Sequence, residues 1–473
     1  MNVILHLGLG SFHRAHQAVY IHELQKTGDL NWTLMGGNIR PDMADTIAAL
    51  QAQGGAYTLE TISPAGEHHY ERITSISKVI GHTPDLSGLI AQGAHADTKI
   101  ISFTVTEAGY YLDSKNQKLD LDTFADLRSD LEAARAGQPG ATVYGALTTI
   151  LRARRAANAG PVTLLNCDNL RHNGARSRGG LLQFIELTGD TDLLAWVHKN
   201  TTSPNAMVDR ITPRPTPDVR ERVLAATGVD DPVALMGESF IQWVIEDKFI
   251  AGRPAWDAVG VEMVDSVDAY EEAKIRLLNA THSCIAWAGT LVNYLYIHEG
   301  THDPVIRRLA FDYVTDDVIP VLDTPEKPCP LNLARYRDVV LDRFANPAIC
   351  DTNQRVAMDG FSKMPGFIAP TIRQRLAAGA TFDSVAMLPA LFLAYLQRWH
   401  AGKIPYTYQD QAMDPAVAHA MCEASDPVAA FCADVPLWGD LAGDPRLIET
   451  VRRASERVAR FITARTGVSP APT

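Results

Sequence analysis

The sequence predicts an α/β protein, with an N-terminal Rossmann-type, doubly wound sheet domain and a mainly α-helical C-terminal domain. Three observations carry this expectation. A short apolar run at residues 3–7 leads directly into Gly8-Leu9-Gly10 and then a helix-like stretch. Strand-like runs alternate with helix-like runs as far as Val264. From Tyr270 onward helical period dominates and strand signals fade. The change of pattern places a boundary after residue 268, giving domains at 1–268 and 269–473. A chain of 473 residues is long enough for two or three domains.

Composition narrows the class of partner. Apolar residues make up 46% and charged residues 21%, as in ordinary globular proteins. The net charge of −12 argues against nucleic acid or an anionic membrane. No apolar run approaches the length of a membrane span. The six cysteines are scattered, without a Cys-x-x-Cys pair, as expected of reduced thiols in a cytoplasmic protein. Residues 1–7 lack a basic start and read as a first strand rather than a signal peptide. The expected partner is a small molecule, and the expected assembly is a monomer or weak oligomer.

Strand, Gly-x-Gly and helix together open a dinucleotide fold, in which the glycines let the backbone approach a pyrophosphate at a helix N-terminus. Gly8, Gly10 and the adjoining Phe12 are therefore cofactor candidates, although His13 holds the place of the third glycine. A plain tight turn is the alternative. The second strand, at 32–36, has no acid at its tip to take the ribose hydroxyls. Asp42 is the nearest acid, Asn38 could substitute, and Arg40 would favour a ribose phosphate. Residues 57–62 and 71–79 alternate as an antiparallel insertion. A buried strand at 99–105 exits into Thr106 and Glu107, which sit where parallel sheets bind ligands. Helices are expected at 121–136 and 144–157, and a strand at 161–165. The loop Asn166-Cys167-Asp168-Asn169-Leu170-Arg171-His172-Asn173 is dense in polar groups, some making turns and some free to face a polar substrate. Asp209-Arg210 lies in an apolar bracket, 238–249 is amphipathic, and 259–264 is the last strand. Later helices are expected at 305–313, 333–343, 370–377, 384–400, 415–424 and 445–463.

The stretch most able to do chemistry runs from Glu271 to His282. With Lys274 at zero on an α-helical wheel, Glu271 falls at about 60°, His282 at about 80° and Asn279 at about 140°. Ile275 and Leu278 share the arc and would dry it. A desolvated lysine loses affinity for its proton and can serve as a general base. Asn279 can donate to a developing alkoxide, and His282 can orient or relay. The plain alternative is a solvated face of charges. His298-Glu299-Gly300-Thr301-His302 matches the zinc-protease pattern, but Gly300 and the following Asp303-Pro304 signal a broken helix. No metal is expected.

Four segments taken together resemble the polyol-specific long-chain dehydrogenases of the mannitol dehydrogenase family. They are Gly8-Leu9-Gly10-Ser11-Phe12-His13-Arg14-Ala15-His16, Asn166-Cys167-Asp168-Asn169, Met207-Val208-Asp209-Arg210-Ile211-Thr212-Pro213, and Lys274 with Asn279 and His282. The resemblance spans nearly the whole chain. Residues 240–247 and Asp351-Thr352-Asn353-Gln354-Arg355 look closest to the D-arabinitol dehydrogenases of the family, which make D-xylulose. The resemblance implies zinc-free, NAD-dependent oxidation of a polyol to a ketose, in a cleft between the domains. It assigns Lys274 as base, Asn169 and Asn279 as oxyanion donors, His282 as substrate ligand and Glu271 as controller of proton movement. Arg355 and Lys363 would grip the remaining hydroxyls, and Asp209 would lie by the nicotinamide or substrate. Competing expectations are a mannitol or sorbitol 2-dehydrogenase, a hexuronate reductase, or a catalytically idle nucleotide-binding regulator.

Overall fold

The computed structural model describes residues 1–105, 107–113 and 118–467, with Glu107 and Ala108 described in their backbone alone. Contacts divide the chain into two compact units, Met1–Ser63 with Glu67–Asp268, and Ala269–Thr473 with Pro64–Gly66. The strands, in chain order, are β1 (Asn2–Leu7), β2 (Trp32–Gly37), β3 (Tyr57–Ile62), β4 (His68–Ile73), β5 (Ile76–Ile80), β6 (Thr98–Phe103), β7 (Val162–Asn166), β8 (Thr201–Thr202), β9 (Ala206–Asp209), β10 (Leu235–Glu238), β11 (Gln242–Glu246) and β12 (Glu262–Val264).

Six of them form one all-parallel sheet in the order β5-β2-β1-β6-β7-β8. Counting only these strands, this is the 3-2-1-4-5-6 order of a dinucleotide fold, whose direction reverses between β1 and β6. Successive strand residues enter opposite cores, as a pleated strand with both faces covered requires. Leu5, Ile101 and Leu164 join Leu147, Ile150 and Phe184 on one face. Ile4, Ile100 and Leu165 join Ala18, Ile21 and Leu50 on the other. The sheet is therefore doubly wound.

The expected strand at 71–79 is two strands. β4 pairs antiparallel with β3, whereas β5 is the parallel edge of the main sheet. The chain changes sheets at Thr74 and Ser75, and the Ser75 hydroxyl anchors the crossing by donating to Ala18 O at 2.6 Å. An unbroken alternation of apolar residues cannot reveal a change of partner. Residues 238–249, read only as amphipathic, contain the whole of β11, which pairs antiparallel with β9 and parallel with β12.

The second unit is helical. Four of its helices begin at an Asp-Pro pair: Pro304–Tyr313, Pro415–Glu423, Pro427–Cys432 and Pro445–Thr466. Each aspartate accepts a backbone N–H of the first turn, and each proline occupies a position whose N–H would have no partner. The central helix, Ala280–Leu291, is buried at every position except His282. Its apolar character on all sides fits that place. Among the described residues no helix is long and apolar enough to cross a membrane.

Candidate active site

Two groups of candidate residues occupy the first unit. The first surrounds the turn after β1. Gly8 has φ of +108°, and a Cβ there would lie 2.4 Å from Thr104 O. Only glycine satisfies both constraints. Its carbonyl accepts from Gly10 N at 2.7 Å, from the Thr104 hydroxyl at 3.1 Å and from His6 Nε2 at 3.1 Å. A carbonyl can only accept, so His6 carries its hydrogen on Nε2, and Nδ1 accepts from the Ser102 hydroxyl at 2.8 Å. Burial pushes the His6 imidazolium pKa down to about 3, so the ring is neutral. At the third-glycine position, His13 stacks on His6 with centroids 3.4 Å apart. The first turn is thus fixed by a histidine pair instead of a close glycine contact. Gly10 differs from Gly8, because a Cβ added there meets nothing nearer than 4.0 Å. That open space over the first residues of a helix suits a pyrophosphate. Phe12 is half-buried and stacks on His16 with centroids 5.0 Å apart.

Asn38 links this turn to the loop after β2. Its side-chain oxygen accepts from Leu9 N at 2.8 Å, and its amide donates to Asp42 O at 3.4 Å. Asp42 itself is exposed. Arg40 is drawn elsewhere, donating to Tyr111 OH at 2.7 Å and Ala141 O at 3.1 Å. Thr106 lies outside the described residues, as does the side chain of Glu107.

The second group follows β7. Asp168 accepts from Val105 N at 2.9 Å and from Tyr110 OH, so it fastens the loop after β6. Asn166 accepts from Asp168 N at 2.8 Å, and Asn173 donates to Ala206 O at 2.7 Å. These side chains hold backbone, while Asn169 is exposed on the bend beyond β7. Asp209 ends β9 and is buried.

In the second unit the residues of interest lie on one helical rod. Asp268–Ala273 is α-helical, Lys274–Asn279 is a π-helix, and Ala280–Leu291 returns to α. The wide turn changes which residues share a face. A π segment accommodates one residue more than the α repeat, so Asn279 and His282 act as though four and seven residues from Lys274. That places them at about 40° and 20° on either side of Lys274, a tighter cluster than the regular wheel gives. Glu271 is 5% exposed and Lys274 6%, so the solvated-face alternative fails for both. Asn279 is half-buried. Tyr313 lies against the wide turn, its hydroxyl 3.2 Å from Arg276 O and 3.3 Å from Leu277 O. Two further π segments, Val314–Val318 and Met364–Ile368, are each followed by a helix with proline at its second residue, which accounts for them. The stretch at Lys274 has no proline.

His282 stacks on Phe344 with centroids 4.3 Å apart. Its Nε2 lies 3.0 Å from Asp351 Oδ2, off the N–H axis, so the contact is electrostatic rather than an aligned hydrogen bond. Burial lowers the His282 pKa, Asp351 opposes that, and Arg355 and Lys363 add to it. Arg355 forks onto Asp351 with Nε–Oδ1 at 2.7 Å and Nη2–Oδ2 at 2.5 Å. Burial alone would raise the Asp351 carboxyl, but His282 and Arg355 outweigh it and hold it below the ordinary carboxylate range. Lys363 donates to Val356 O at 2.6 Å. Asp351 and Phe344 were not among the residues expected at the site. The four-residue spacing from Asp351 to Arg355 was the available signal, since an acid four places before a base is a pairing pattern.

The zinc-protease pattern is put to another use. Its helix, Ile297–His302, ends at Asp303, whose extended backbone starts the next helix. Glu299 Oε2 accepts from Leu295 N at 2.8 Å and Tyr296 N at 2.7 Å, so the carboxylate is a cap. Among the described residues His298 and His302 join no group of three metal ligands. Prolonged chelator treatment and His298→Ala are both expected to leave turnover unchanged. Loss of activity on chelation, restored by zinc, would overturn that expectation.

A two-domain chain with this strand order, a Gly-x-Gly turn at the switch point and a buried lysine on a helical unit has the layout of a nucleotide-dependent oxidoreductase. The mannitol dehydrogenase Rossmann domain matches residues 2–258, and the mannitol dehydrogenase C-terminal domain matches residues 266–459. The chain is 59% identical over 466 residues to D-arabinitol 4-dehydrogenase of Ralstonia nicotianae, covering 98% of each chain. It is 52% identical over 460 residues to D-arabinitol 4-dehydrogenase of Klebsiella pneumoniae, covering 97% of this chain and 98% of that one. The ternary complex of Pseudomonas fluorescens mannitol 2-dehydrogenase with NAD and D-mannitol matches with a TM-score of 0.81 at 33% identity, covering 98% of this chain and 94% of that one. The chain belongs to the mannitol dehydrogenase family. It is an NAD-dependent polyol dehydrogenase.

Proposed function

We propose that the protein oxidises D-arabinitol to D-xylulose, with residues 1–268 holding NAD and residues 269–473 supplying the base. The observation that carries the mechanism is the buried Lys274 on a π segment, with Glu271 buried and Asn279 and His282 turned to its face. The high identity to two D-arabinitol 4-dehydrogenases supports the substrate. Gly8, Gly10 and Phe12 hold the pyrophosphate side of the cofactor, and Asp42, with Thr106 and Glu107, its flanks. Bound NAD supplies the hydride acceptor.

Lys274, as the neutral amine, takes the proton of the reacting hydroxyl. The amides of Asn169 and Asn279 donate to the oxygen as its charge grows, each worth roughly 3 kcal/mol in the transition state. Glu271 passes the proton from Lys274 towards water. His282, Arg355 and Lys363 hold the remaining hydroxyls, and Asp209 lies by the nicotinamide or the substrate. No step uses a metal ion.

A hexuronate reductase would need a cation for its substrate's carboxylate. Arg355 is disfavoured in that role, because Asp351 already occupies the Nε–Nη2 edge of its guanidinium and offsets its charge. An idle regulator would have no use for a buried lysine beside a buried glutamate. The test is NADH formation with D-arabinitol, D-mannitol, D-sorbitol and xylitol. D-arabinitol is expected to give the highest kcat/KM, and a higher value for D-mannitol would overturn the assignment.

NAD should be preferred to NADP. A ribose phosphate needs a cation, and Arg40 is committed to Tyr111 and Ala141. The exposed Asp42 near the same loop would repel the phosphate. The ratio of kcat/KM for the two cofactors measures this, and a value favouring NADP would make Arg40 a phosphate ligand.

A further inference from the structure

Asp351 is the best-anchored charge in the second unit's candidate site. Its carbonyl accepts from Ile297 N at 2.9 Å, and two residues on Asn353 N donates to Leu295 O at 2.9 Å. Thr352, between them, caps the helix Asn353–Ala357 by accepting from Arg355 N at 3.2 Å. The backbone is therefore held on both sides of a carboxylate that is only 10% exposed. Arg355, in contrast, is 64% exposed. A guanidinium that reaches solvent beside a sugar site is a ready receptor for a substrate carboxylate, because its fork matches that group in two parallel bonds. Here a carboxylate of the protein fills the fork.

We propose that Asp351 is a specificity-determining residue: it is a built-in counter-ion that occupies the Arg355 fork and restricts the site to uncharged polyols and ketoses, shutting out sugar acids. The inference rests on the proposed function in placing the substrate beside His282 and Arg355. A sugar acid entering there meets the fixed charge of Asp351 and finds the Arg355 charge already cancelled. An uncharged polyol meets neither obstacle, and its hydroxyls can use the remaining N–H groups of the guanidinium. Asp351 also lies against His282, so the same carboxylate that screens the substrate positions the ring.

The experiment uses the NADH-loaded full chain and two probes, D-arabinitol and D-arabinonate, its carboxylate counterpart, with binding measured by calorimetry. Asp351→Asn keeps the shape and removes the charge. D-arabinonate should bind the variant about tenfold or more tightly than the parent, and added salt should erase the gain. D-arabinitol affinity should shift by less. A Asp351→Asn/Arg355→Gln double variant should lose the new D-arabinonate affinity. Asp351→Glu, which retains the charge, should still exclude the anion and covers the case in which the asparagine variant folds poorly. Unchanged D-arabinonate affinity in Asp351→Asn overturns the inference, as does an undiminished gain in the double variant or a gain in Asp351→Glu. A parent inactive on every polyol would overturn the proposed function instead, and the D-arabinonate comparison stands without that activity.

Discussion

Lys274→Ala should fold, load NADH and turn over about 10²–10⁴-fold more slowly than the parent, the usual worth of a positioned acid–base group. Folding is expected because alanine has the best helix propensity. Cofactor loading is expected because Lys274 lies outside the residues matched by the Rossmann domain. The pH profile carries more information than the rate. In the parent, polyol oxidation should rise with pH as Lys274 loses its proton and becomes able to accept another. That limb should be missing in the variant. A small amine added to the assay should restore part of the rate by occupying the vacated space. Near-parent turnover with the same pH limb would show that some other group takes the proton.

The two glycines after β1 should fail in different ways when changed to alanine. At Gly8 the new Cβ would sit 2.4 Å from Thr104 O at a φ of +108°. Both conflicts exist without any ligand, so Gly8→Ala should lower Tm and abolish measurable NADH binding together. At Gly10 the nearest atom is 4.0 Å away. Gly10→Ala should therefore leave Tm unchanged while weakening NADH binding by about tenfold or more, or 1.4 kcal/mol. Fluorescence titration with NADH and a thermal melt separate the two outcomes. A Gly10→Ala variant that binds NADH as the parent does would place the pyrophosphate elsewhere.

Much of the fold was legible because its signals are local. The Gly-x-Gly turn, the apolar runs of β1, β6 and β7, and the Asp-Pro starts of three helices each announce themselves within a few residues, whereas the short Asp-Pro helix Pro427–Cys432 was not expected. The helices Asn173–Thr188, Thr191–Asn200 and Pro217–Thr227 were also not expected, and the other misses depend on partners distant in the chain. Nothing in residues 71–79 says that β4 pairs with β3 while β5 pairs with β2. The polar loop after β7 could be divided only in general terms between turn-makers and exposed groups, and the structure assigns Asn166, Asp168 and Asn173 to the backbone. His6 and His13 were invisible as a pair because their stacking needs a strand laid against a helix. The helix wheel erred for a simpler reason: it assumed a constant repeat through Lys274–Asn279.

That assumption exposes a fault line in the helix that carries Lys274. Spacings of five and eight residues from Lys274 line up only while one residue is looped wide. The same sequence wound as uninterrupted α-helix would swing Asn279 and His282 by about 100° relative to Lys274. The two registers differ by a slip of a single residue. On the proposed mechanism, protein in the regular register would keep its secondary structure and its nucleotide fold, and would be idle. That mechanism would then fail through a helix becoming more ideal.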